Sequence, residues 1–520
     1  GAAPSGSRDA ICGYRSFASF TRPALNNILP IHHDAGADAA ERVAATTEKG
    51  TSQHLPTLDL ALPGLPSLSP ASDLDAPETE LSTLPNGLRV VSQETYGQVT
   101  TVGVLVHTGS RFEALPMNRG NTHVLESMAF KSTTNRTHAD VVRELEDLGV
   151  FPNTVSAREE IMYQIDVMRD RVPKAFEIFA DVVRNPLFDE AEVEEAKQII
   201  GFLLEDMAET PQTLVNEELM CTAFGRDTPM GQSLLCDTNR LKEVTGAGLK
   251  SFTDAHYCAE NLVVSFAGLA HDEAVALAAE YFGDMPSKSS IPGVSELRAG
   301  ALAPPQYTGG VHLQSVPNLP FTHVGLAFDA GGWHDDDLVP VCVLHSLLGG
   351  GDSFSAGGPG KGMYSRLYRQ VLNRQYWVES VLGVSLIHSD CGITGIVGSS
   401  EASYSPNMLA MMCYQMKDLA RNAVDPVELS RARNRLKSSV LMSLESRMLL
   451  AEDLARQVLT YGFREETEKL MAKIDSVSED DLIRVANRAI NSKPTIVVYG
   501  DTSAIPANVA ELVEATLHSP

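Results

Sequence analysis

From about residue 84 onward, short apolar runs alternate with polar breaks, and their spacing predicts a mixture of strands and helices. Leu84-Pro85-Asn86-Gly87 opens the pattern, because Asn-Gly marks a tight hairpin turn. Leu88–Gln93 and Thr101–Thr108 then read as strands. A loop with Gly109, Pro116 and Gly120 leads into a helical segment from Thr122. One strand is predicted from Asn153, with alternation at Ile161, Tyr163 and Ile165. A helix follows over about Asp272–Phe282, and the prolines and glycines of 284–310 make the best linker. Val339–Leu348 reads as the tail of a buried element. Met363, Leu367 and Val371 recur at helical spacing.

The pattern repeats. Val102–Gly109 aligns without gaps on Val324–Gly331, an offset of 222 positions. The same offset sets His123 on His345 and Leu125 on Leu347, and Thr495–Asp501 echoes Asn261–Gly268. Two related α+β halves follow from this. Set among Val341–Leu344 and Leu347-Leu348, His345 reads as a buried, hydrogen-bonded histidine.

Composition narrows the partners. The net charge is −26, from 41 Lys+Arg against 67 Asp+Glu, which argues against nucleic acid and suits a basic amphipathic peptide. No apolar run approaches the roughly 18 residues that span a bilayer. Seven scattered cysteines without a C-x-x-C pair argue against a disulfide framework or a cysteine zinc site. Residues 1–85 have no sustained period and read as an extension. Arg8, Arg15 and Arg22 give its start the flavour of a mitochondrial transit segment, and the missing initiator Met fits prior processing. Such an extension is expected to lie on a partner in a larger assembly.

The candidate chemistry lies in Gly349–Tyr368. Seven of the fourteen residues from Gly349 to Gly362 are glycine, which reaches φ > 0 cheaply but loses most entropy on ordering. A P-loop fails at both ends, because Ser355 stands where its first glycine belongs and Gly362 follows Lys361. A mobile loop over a binding cleft is the better reading.

The run Gly-Gly-Pro-Gly-Lys-Gly-Met-Tyr-Ser-Arg-Leu-Tyr, ending at Tyr368, resembles the glycine-rich loop of the α-type subunits of mitochondrial processing peptidases. These belong to the pitrilysin-like, inverted-zincin (M16-type) family. The resemblance implies two homologous M16-like α+β domains forming a two-lobed clam shell. The boundaries are an extension over 1–85, domains over 86–290 and 311–520, and a linker over 291–310. Met162-Tyr163-Gln164 also looks like the α-type, and in active relatives the corresponding edge strand pairs with substrate backbone.

The family's metal helix reads His-x-x-Glu-His. Here it reads His123-Val124-Leu125-Glu126-Ser127, and the third ligand, a later glutamate, falls on Leu203. Glu205 and Asp206 are close, but two helical residues turn a side chain by roughly 200°. The resemblance thus implies no catalytic residue and no metal in this chain, with zinc in a β-subunit partner. It implies that basic presequence peptides meet Gly349, Gly350, Gly351, Ser353, Phe354, Gly357, Gly358, Gly360, Lys361 and Gly362. Asp352 departs from the all-glycine start. The eight acids between Asp189 and Glu209, against Lys197, read as a solvated helix face, with a cleft-facing stripe as the alternative. The expected setting is the mitochondrial matrix or the matrix face of the inner membrane, with other subunits of respiratory complex III as further partners. A purely structural complex III core subunit and an active zinc peptidase are the alternatives.

Overall fold

The computed structural model describes residues 77–113, 119–209, 211–316, 318–353 and 362–519. The expectations for the extension up to residue 76 fall outside these residues. Two six-stranded sheets carry the fold. The first holds β1 (Thr79–Thr83), β2 (Arg89–Gln93), β3 (Val99–Val106), β4 (Phe151–Ser156), β5 (Ile161–Met168) and β6 (Leu262–Ala267), in the order β1-β2-β6-β3-β5-β4. The second holds β7 (Gly310–Ser315), β8 (Thr322–Asp329), β9 (Gly350–Asp352), β10 (Val378–Ile387), β11 (Gly392–Ser400) and β12 (Thr495–Gly500), in the order β7-β12-β8-β11-β10-β9. Superposing β3 on β8, as the repeat requires, makes β2-β6-β3-β5-β4 equivalent to β7-β12-β8-β11-β10. Each set has one parallel pair, β2 with β6 and β7 with β12. The duplication is therefore topological as well as sequential.

Six helices matter below: α1 (Asn121–Met128), α2 (Glu190–Glu209), α3 (Gln212–Phe224), α4 (Val294–Ala301), α5 (Leu338–Leu348) and α6 (Arg447–Tyr461). The strands are apolar on both faces for a reason that the helices supply. In β3, Val102, Val104 and Val106 enter the main core of the first lobe. Leu105 points the other way, into a second cluster with Val91, Met162, Val263 and Ala267, closed by Leu450, Leu454 and Val458 of α6. The second lobe mirrors this: Ile496 and Val498 face its main core, while Val497 and Tyr499 meet Val215, Leu219 and Phe224 of α3. Each half thus lends the other a helix. Full burial of a Leu or Val contributes about 1.5–3 kcal/mol, so Leu450, Leu454 and Val458 together contribute on the order of 5–9 kcal/mol. That rivals the net stability of a whole domain.

The structure differs from the sequence reading at four places. The first lobe starts at Thr79, ahead of the predicted boundary, because β1 pairs with β2 across the Asn86-Gly87 turn. Its mostly exposed edge position left no apolar signal. The strand predicted from Asn153 is a hairpin, broken where the Ala157 N–H donates to Glu160 O at 2.8 Å. The stretch 291–310 is no plain linker, for it contains α4. Arg298 fastens that helix to the first lobe, donating to His107 O at 3.0 Å and to His256 Nδ1 at 3.2 Å above the Phe112 ring. Finally, the helix expected from Met363 gives way to a turn and a π-helical turn at Tyr368–Leu372.

The hairpin turn at 157–160 is the meeting point of the two lobes. Arg158 holds α3 through a buried pair with Glu217, at 2.6 Å. Glu160 meets Arg456 of α6 at 2.5 Å. Glu159 accepts from Ser389 N at 2.9 Å, in the equivalent turn between β10 and β11. Arg111, wholly buried, spans Glu159 and both carboxylate oxygens of Asp390.

Candidate functional site

The degenerate metal helix, α1, begins where Gly120 adopts φ 88°. A Cβ at Gly120 would lie 2.3 Å from Cys236 Sγ, so glycine is required there. Glu113 caps this start by accepting from Gly120 N and Thr122 N, both at 2.7 Å. Burial pushes the Glu113 carboxyl up to about 7, against those two bonds.

Each surviving member of the motif is already committed. His123 Nδ1 accepts from Cys236 N at 3.2 Å, and burial lowers its pKa to about 4, so the ring is neutral. Glu126 Oε2 accepts from Ser156 N at 3.1 Å and also from the Ser156 hydroxyl. Burial raises the Glu126 carboxyl, and the two Ser156 bonds oppose that shift. Ser127 offers a hydroxyl and Leu203, half-buried on α2, offers no donor at all. Glu205 and Asp206 are exposed further along α2. Zinc in a peptidase site takes three protein ligands, two of them commonly histidine. The side chains at these positions do not fit it. Among the described residues no three His, Cys, Asp or Glu side chains converge as a metal site. His345, the repeat partner of His123, lies half-buried on α5.

Beside α1 lies β4, an edge strand of the first sheet. Because Ala157 N–H points to Glu160, the alternate residues Ser156, Thr154 and Pro152 direct their backbone groups away from β5. Pro152 has no N–H to present, and the Ser156 N–H is taken by Glu126. Thr154 alone of these three can offer both an N–H and a C=O on the open side.

The equivalent edge of the second sheet, β10, is covered by the start of the glycine run. Gly350–Asp352 pairs with Ser380–Leu382, extended by Gly383 N donating to Gly349 O and Ser353 N to Glu379 O, both at 2.7 Å. Gly350, at φ 116°, lies so close to β10 that a Cβ would meet Val381 O at 2.0 Å. Gly349, at φ 54°, leaves no room beside Ser365 and Arg435. The far end returns to the same place: Gly362 packs against the Arg435 guanidinium and Ser365 Oγ accepts from Gly350 N at 3.0 Å. Arg366 anchors this root by a two-pronged contact with Glu428 and a 2.7 Å bond to Asp418. Asp352 is exposed opposite Ser380. The structure therefore brings Gly349, Gly350, Gly351, Ser353 and Gly362 together. Phe354, Gly357, Gly358, Gly360 and Lys361 lie outside the described residues.

The acidic run forms α2. Asp189 accepts from Ala191 N, Glu190 from Gly246 N, Glu192 from Ser132, Glu194 pairs with Lys197 and Glu195 with Lys131, so most of its acids serve local bonds. Sequence reasoning passed over Glu113, Pro152, Ser156, Cys236, Ser365 and Arg435. Of these Pro152 carried a readable signal, because proline inside a strand pattern marks an edge.

Known proteins share this architecture. A family model described as "Insulinase (Peptidase family M16)" matches residues 89–238, and one described as "Peptidase M16 inactive domain" matches 243–436. The duplicated lobes and the stripped metal helix thus define a non-catalytic chain of the M16 class. The probable mitochondrial-processing peptidase subunit alpha-1 of Arabidopsis thaliana is 34% identical over 508 residues, covering 95% of this chain and 98% of the relative. The α-subunit of Solanum tuberosum is 35% identical over 461 residues (88% and 89%), and that of Homo sapiens 33% over 473 (88% and 89%). Within the M16 class, the chain belongs to the family of mitochondrial-processing peptidase α-subunits. In fold it is also similar to a chain of "Complex III2 from Candida albicans, Inz-5 bound", with a TM-score of 0.70 and 17% identity over 84% of this chain and 99% of that one. Among the described residues no helix is long and apolar enough to cross a membrane.

Proposed function

We propose that this chain is the presequence-recognising partner of a zinc-bearing β-subunit, working in the mitochondrial matrix or on the matrix face of the inner membrane. The β-subunit supplies the metal and the hydrolysis, and this chain supplies binding surface for basic, amphipathic presequence peptides. The observation that carries the reading is the contrast between two sites. At the old metal helix His123 and Glu126 hold local structure, whereas Ser365 and Arg435 pin both ends of the glycine run at one place. Gly349, Gly350, Gly351, Ser353, Phe354, Gly357, Gly358, Gly360, Lys361 and Gly362 are the residues assigned to the peptide. The net charge of −26 favours a cationic ligand over nucleic acid.

A second role, as a matrix-side core subunit of respiratory complex III, is part of the same proposal. The likeness in fold to a complex III chain supports it, and purification of the native protein with complex III subunits tests it.

The recognition role is tested by deleting Phe354–Lys361 from the chain reconstituted with its β-subunit. Since the root at Gly349–Ser353 and Gly362–Leu367 belongs to the lobe core, the variant is expected to fold and pair normally. Processing should drop sharply, through weaker peptide binding. Kinetics equal to wild type would take the loop out of the mechanism.

A further inference from the structure

The two lobes present equivalent sheet edges, and both are closed, by different means. On β10 the cover is a strand, Gly350–Asp352. On β4 no strand is added among the described residues, and the open side is blunted residue by residue. An extended peptide joins a sheet edge by meeting alternate N–H and C=O groups along it. At β4 those groups belong to Pro152, Thr154 and Ser156. Proline withholds the first N–H, and Glu126 Oε2, at 3.1 Å, already takes the last. Of the three N–H groups only that of Thr154 is left, so an added strand loses two of the six ladder bonds these residues could make.

We propose that Glu126 and Pro152 guard the β4 edge, denying an extended peptide strand a non-productive docking place in this lobe. The inference rests on the reading that the chain handles presequence peptides. A residue that resemblance makes the base of a peptidase acts here as a plug, bonded to Ser156. A bare β4 would compete for the peptide that the β-subunit must receive. It would also offer Phe151, 74% exposed, as an apolar contact beside the open strand.

The test uses the full chain and a synthetic Arg-containing amphipathic peptide. Binding is followed by fluorescence anisotropy, and amide hydrogen exchange is followed in the fragment covering 151–156. Wild type should bind peptide with unchanged exchange in that fragment. Glu126→Ala combined with Pro152→Val frees the Ser156 N–H and adds one at 152. Peptide should then slow exchange there by roughly tenfold, the size expected for one or two new backbone bonds. Glu126→Gln, whose amide oxygen still accepts from Ser156 N, should behave as wild type. That rescue separates guarding from mere packing.

Peptide-dependent protection of 151–156 already present in wild type would overturn the proposal, and this arm needs no variant to fold. So would a cooperatively folded double variant that gains none. A wild type that binds no peptide at all would instead remove the recognition reading. The guard would then stand if the double variant gains protection and fall if it does not.

Discussion

His256 shows at the scale of one side chain how this molecule spends its polar groups. Its Nδ1 accepts from Arg298, the residue that fastens α4 to the first lobe, and the Phe252 ring packs 4.6 Å away. Burial, followed by the Arg298 charge, lowers its pKa to about 3. An unfolded histidine protonates near 6.5. As pH falls below about 6.5 the unfolded chain therefore takes up a proton that the folded chain refuses. The stability contributed by the neutral ring is complete above that value and is lost progressively towards the folded pKa. His256→Gln removes this term. The stability gap between wild type and variant should be widest near pH 7.5 and narrow steadily between pH 6.5 and 4, as read by urea midpoints at each pH. A gap that is constant, or widens with acid, would show that the ring is not held neutral. The same logic governs His123, whose low pKa and bond to Cys236 N make it a structural residue.

At the scale of elements, the exchange of α3 and α6 is the feature with the largest energetic consequence. The repeat at offset 222 made the duplicated sheets legible, because Val102–Gly109 and Val324–Gly331 are the central strands β3 and β8. In the structure both faces of those strands are covered. What the sequence could not say was whose helix covers them. An apolar stripe such as Leu450, Leu454 and Val458 fits either sheet, and only the tertiary arrangement chooses. The hairpin at 157–160 was missed for a related reason. Ala-Arg-Glu-Glu carries no glycine or proline, and its charges look like solvent-facing strand positions until Arg158 finds Glu217 and Glu160 finds Arg456. In the motif at Gly349–Tyr368 the strand and root that begin the glycine run were not legible. Gly349 and Gly350 are fixed by close approach to Ser365, Arg435 and β10. A consequence follows for folding. A fragment ending near residue 305 keeps α3 with nothing to cover, and bares Val91, Leu105, Met162, Val263 and Ala267. It should be poorly soluble or bind ANS strongly, and co-expression with residues 306–520 should restore a soluble pair. A fragment that unfolds cooperatively and binds no ANS would contradict the exchange.

For the whole molecule, the two lobes form a unit tied at the turns 157–160 and 388–391 by Arg111, Glu159 and Asp390. Among the described residues neither lobe carries a metal constellation, and the chain as a whole is strongly acidic. Its contribution as a partner would therefore be a metal-independent attraction for cations, tuned by screening rather than by coordination. The most direct measurement is the equilibrium affinity of the full chain for a basic presequence peptide, taken with and without a strong zinc chelator, at low and at physiological salt. The account predicts binding that weakens as salt rises and does not change with chelator. Binding abolished by the chelator would contradict it, as would no binding at either ionic strength.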